Sequence, residues 1–139
     1  MYSNKLKYQA YLDKFPNCPP EEYQEVDMPA FRWVHKASIE AGFMPLHLSR
    51  FPPRMFDTED ENCMGYGLSM FNALESAKLK LLKLKKQLQK NKGDSVAALK
   101  LENQDGLAGT SNQQGHFTFH EYEATNLVLK ITQIHNIFE

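Results

Sequence analysis

His116 and His120 stand four residues apart, and the chain also carries two cysteines, Cys18 and Cys63. Imidazole and thiolate are the common ligands of zinc, and His-x-x-x-His chelates one ion when both rings lie on one turn of a helix. The intervening residues, however, are Phe117-Thr118-Phe119, and Gly115 precedes them, an alternation that predicts a strand. Four residues of strand span roughly 13 Å, too far for two ligands of one ion. The spacing therefore predicts no metal site: the histidines and Thr118 share one sheet face, and the two phenylalanines turn to a core. Cys18 and Cys63 are far apart, outside any Cys-x-x-Cys spacing, and no apolar export segment follows Met1. Both are expected as reduced thiols of a cytoplasmic protein. The chain shows no nucleophile elbow, glycine-rich phosphate loop or helical His-Glu-x-x-His.

A second set of reactive residues is dispersed. Arg32 sits in Phe31-Arg32-Trp33-Val34-His35, a run of aromatic and branched residues that predicts a strand. Ser69 sits in Tyr66-Gly67-Leu68-Ser69-Met70-Phe71, a short apolar strand that runs directly into a helix. Glu121-Tyr122-Glu123 follows the late Phe-Thr-Phe strand. This order of strand arginine, strand serine before a helix, and Glu-x-Glu resembles that of small ADP-ribosyltransferase-like bacterial domains. The resemblance covers three short islands, and Leu68-Ser69-Met70 stands where that family carries Ser-Thr-Ser. It implies that Arg32 holds the phosphates of NAD and that the Ser69 strand braces the nicotinamide ribose. It also implies that Glu123 binds a ribose hydroxyl and stabilises an oxocarbenium-like transition state, while Glu121 orients the acceptor. Cleavage of a glycosidic bond does call for a carboxylate beside the developing positive charge.

The element that must position these groups is read most directly from residues 72–92. Leu74, Ala77, Leu81, Leu84 and Leu88 recur at spacings of three and four, the seam of an amphipathic helix. Asn72 and Glu75 suit a capping-box start, and Lys92-Gly93 suits a stop. Seven lysines against one glutamate give the segment a charge of +6, so the rest of the chain, whose total is −1, sums to −7. Two further short helices are expected at the N-terminus, one within residues 4–15 and one from Pro20 to before Pro29. Strands are expected at 96–102 and from about Lys130, with a turn of helix before the latter. Residues 43–62, with three prolines and a cluster of acids, predict an irregular connection.

The expected fold is α+β in a single domain of residues 1–139: one long helix packed on a small, mostly antiparallel sheet. A hydrophobic content of 42% and a net charge of −1 fit a globular chain and argue against a dedicated nucleic-acid binder. No apolar run reaches the ~18 residues of a membrane span. The composition therefore points to a small protein that binds a macromolecular partner or a second copy of itself, an accessory, immunity or inhibitor-type protein or a subunit of a small complex. The expected surfaces are the lysine face, with Lys78, Lys85 and Lys86, and the proline-rich segment, with Phe51, Met55 and Phe56. This reading requires no cofactor; NAD enters only with the resemblance, and nucleic acid only through the lysines.

Overall fold

Alternating apolar residues along six segments of the chain pair into one sheet. The computed structural model describes residues 5–49 and 55–137. The strands are β1 (Met28–Val34), β2 (Leu68–Phe71), β3 (Ser95–Leu101), β4 (Gly106–Ala108), β5 (His116–Glu121) and β6 (Ile131–Asn136). They run antiparallel throughout, in the order β4-β5-β2-β1-β3-β6. The period-two rule sends Ala30, Val34, Leu68, Met70, Ala97, Leu99, Phe117 and Phe119 to one face. There they form the main core with Phe43 and Leu127. The opposite face carries Phe31, Trp33, Phe71 and Val96, which pack against Leu74 and Ala77.

Among the described residues, four α-helices accompany the sheet: α1 (Gln9–Leu12), α2 (Glu59–Gly65), α3 (Leu74–Leu82) and α4 (Lys86–Lys92). The expectation of one long helix over 72–92 is therefore corrected: the segment forms two short helices, and the fold is dominated by its six-stranded sheet. The reason is length. A straight helix of 21 residues would run about 30 Å, whereas seven residues of strand, the longest here, cover about 23 Å. The chain must also return to β3, where Asp94 N–H donates to the Val34 carbonyl. Only Ala77 and Leu81 of the leucine seam are buried, and Leu88 is 45% exposed. At the break, Gln89 Nε2 donates to the carbonyls of Leu82 and Leu84, taking over acceptors that the ended helix leaves open. Gln89→Ala is expected to destabilise the protein by about 1 kcal/mol, read as a shifted denaturant midpoint with unchanged slope.

The N-terminal expectation is corrected too. A single turn, α1, forms within residues 4–15, and residues 20–27 form no helix. That segment instead runs as irregular chain along the sheet edge, with bridges Leu6↔Tyr122 and Gln24↔Ala108. This path overturns the reading of free thiols, because it carries Cys18 to Cys63 on α2, and the two form a disulfide. Close by, burial lowers the His120 imidazole to about 4. Short 3-10 turns at Glu40–Phe43 and Leu46–Leu48 precede α2, which begins within the segment 43–62 expected to be irregular. Thr58 caps α2 by accepting from Glu61 N–H, and its hydroxyl donates to the Glu61 carboxylate. Among the described residues, no helix is long and apolar enough to cross a membrane.

Candidate functional site

The strand order places β1 beside β2, yet their register holds at one pair, Phe31↔Phe71. Continued, the ladder would set Trp33 opposite Ser69; instead the strands part. Arg32 occupies the fork. Its Nη1 donates to the Ser69 carbonyl at 2.6 Å and its Nε to the Gly42 carbonyl at 2.7 Å. The guanidinium lies 5.7 Å from the centre of the Phe43 ring. A side chain thus takes the carbonyl that a paired β1 backbone would have taken. Those bonds use two of its five N–H groups.

The fork opens into a cleft of about 510 Å³, within the range of small-molecule sites. Arg32, Ser69 and His116 line it together with Glu61, Trp33 and Thr118. The Ser69 hydroxyl is hydrogen-bonded to His116 Nε2, which follows from the pairing of Phe71 with His116 and of Ser69 with Thr118. Burial lowers the His116 pKa, and the Lys80 ammonium adds to this, favouring a neutral ring. Burial also lowers Arg32 to about 10, opposed by the Glu121 carboxylate, so the guanidinium is charged at neutral pH. Trp33 is pinned by its indole N–H on the Ala77 carbonyl.

Asn62 holds the α2 wall of the cleft. Its Oδ1 accepts from Phe56 N–H and meets His47 Nε2 at 3.1 Å, and its Nδ2 donates to the Phe56 carbonyl. His47 lies between Phe56 and Tyr66, with ring centres 4.9 and 4.8 Å away. Gly65 is required there, since a Cβ would come within 2.4 Å of the His47 ring.

The structure therefore brings Arg32 and Ser69 together and leaves both glutamates of the Glu-x-Glu segment outside the cleft lining. Glu121 lies at the far end of β5, buried, with its carboxylate 2.7 Å from Lys7 Nζ. Burial raises its pKa, and Lys7 and Arg32 oppose the shift. Glu123 is exposed beyond the strand end. Among the described residues, Glu61 is the one carboxylate that lines the cleft. Thr58-x-x-Glu61 spells a capping box and was the signal for it. His116 was legible as a strand residue, but its pairing with Ser69 depends on register. Of the expected contact residues, Phe56 lines the cleft, and Met55 is 51% exposed. Lys78 is half-buried on α3, Lys85 and Lys86 are exposed where α4 begins, and Phe51 lies outside the described residues. Comparison of the chain with protein-family models, curated proteins and solved structures finds no match.

Proposed function

We propose that the cleft binds an NAD-type dinucleotide and that the chain is an ADP-ribosyltransferase-like or NAD-hydrolysing enzyme. The observation that carries this reading is the meeting of Arg32 and Ser69 at the strand fork, where both line one cleft. Arg32 offers fixed N–H donors to the diphosphate. Trp33, Met44 and Phe56 supply apolar lining for the rings. The Ser69 hydroxyl, oriented by His116, meets the nicotinamide ribose. The bond between ribose C1′ and the nicotinamide nitrogen breaks with its electron pair leaving on nicotinamide. Glu61, in place of the glutamates at 121 and 123, stabilises the oxocarbenium-like centre. Water or an acceptor hydroxyl then adds to C1′, and neutral His116 accepts the proton.

Release of nicotinamide from NAD by the purified chain tests this. Turnover that falls at least tenfold in Glu61→Gln and survives in Glu123→Gln supports the assignment; absence of both turnover and NAD binding ends it. Because burial lowers the His116 pKa below its ordinary 6.5, the ring is in its basic form at neutral pH. Turnover should then be flat above pH 6.5 and fall as the pH drops through the lowered value. Ser69→Ala should lose activity across the whole range.

A second reading, binding of a macromolecular partner, is supported by the apolar rim of the same cleft. Met44, Leu46 and Met64 are 43–46% exposed around its mouth. An inhibitor-type or acceptor protein seated there would cover the site, and Leu46→Glu would weaken its binding. The disulfide counts against the expected cytoplasmic location, a compartment where such bonds are rare.

A further inference from the structure

Beside the disulfide, the ligand atoms of Cys18, Cys63 and His120 all lie within 4.8 Å of one another. His120 is 2% exposed, and its Nε2 has no hydrogen-bond partner among the described residues. A buried ring nitrogen left unpaired is costly and calls for an explanation. Gly67 packs closely against the ring: an added Cβ there would stand 3.2 Å from Nε2 and 2.6 Å from the Thr118 side chain. Ligands of a tetrahedral zinc ion, at their usual bond lengths, lie roughly 3.3–3.8 Å apart. The three atoms are therefore already clustered within the reach of one ion. Cys63 is buried and Cys18 half-buried, so the N-terminal side offers an entry path.

We propose that, once reduced, the chain binds zinc through Cys18 Sγ, Cys63 Sγ and His120 Nε2, so that crosslink and metal are alternate states of one site. Reduction by a dithiol delivers two electrons and two protons to the disulfide, and the dithiol closes to its own disulfide. Zinc then displaces both thiol protons to solvent. Two thiolates balance the ion's charge, which suits a site with two buried residues, and a water completes the coordination. The site is distinct from His116, which faces the cleft. It bears on the cleft all the same, because Cys63 shares α2 with Glu61 and Met64.

The test uses the full chain, reduced anaerobically with a phosphine and titrated with cobalt(II). One equivalent should bind, giving the visible bands of a tetrahedral ion and a thiolate-to-cobalt charge-transfer band, both bleached by zinc. The oxidised chain should bind none. His120→Gln should weaken binding roughly a hundredfold with the charge-transfer band retained, and Cys18→Ser should roughly halve that band per bound cobalt. If Cys18→Ser does not fold, the oxidised wild type serves as the thiol-free comparison. Failure of the reduced chain to take up cobalt would overturn the proposal. So would equal uptake by the oxidised chain, or unchanged affinity in His120→Gln.

Discussion

Arg32→Met is expected to abolish NAD binding and turnover, and to loosen the fold at the same time. The substitution keeps the stem and removes every donor. Two charge-assisted hydrogen bonds to a diphosphate, at about 1.5–3 kcal/mol each, correspond to a loss of roughly 100-fold or more in affinity. The Ser69 and Gly42 carbonyls, which now accept from Arg32, lose their partner. Each carbonyl that water does not reach costs about 1–3 kcal/mol. Arg32→Lys separates the two effects, since an ammonium restores charge without the fork that spans both carbonyls and the ligand. Calorimetric titration with NAD, beside thermal melts with and without it, reads both. Unchanged affinity in Arg32→Met would remove the cleft from consideration as a dinucleotide site.

Phe119→Ala is expected to be the most destabilising single truncation in the sheet. Phe119 has no solvent exposure and pairs with Leu68 on one side and Ala108 on the other. Its ring tip fills the space over Gly106, where an added Cβ would come within 2.7 Å of it. Truncating a fully buried phenylalanine costs about 3–5 kcal/mol. For a domain of this size that lowers the melting temperature by about 10–20 °C. Leu129→Ala, at a side chain 80% exposed, should stay within about 0.5 kcal/mol. A comparable melting temperature for both variants would contradict the placement of the core.

The strands were readable because their information is local. His116-Phe117-Thr118-Phe119-His120 alternates, and a period of two sends the phenylalanines to the core wherever the strand is placed. The tail was readable only in part: Leu127, Ile131 and Ile134 also fit a helical face, and the isoleucine and threonine after Lys130 tipped the reading towards the strand that begins at Ile131. The leucine seam of 72–92 misled because a three-four spacing states which residues can share a helical face. It does not state how much sheet lies beneath them. Leu84 and Leu88 keep the rhythm across a break imposed by the return to β3. The acids before Asn62 read as solvent-facing, although Thr58 and Glu61 were the start of a helix.

The chain's own order of residues determined an α+β protein with an antiparallel sheet and most of its strands. It did so because propensity and alternation act over a few neighbours. Only the tertiary structure decided that β1 and β2 separate beyond Phe31 and Phe71, and that Arg32 fills the gap. It likewise decided that His116 rather than Glu123 meets Ser69, and that Cys18 reaches Cys63 beside His120. Each of these depends on strand register and on segments brought together across long stretches of chain, and no local pattern encodes such a distance.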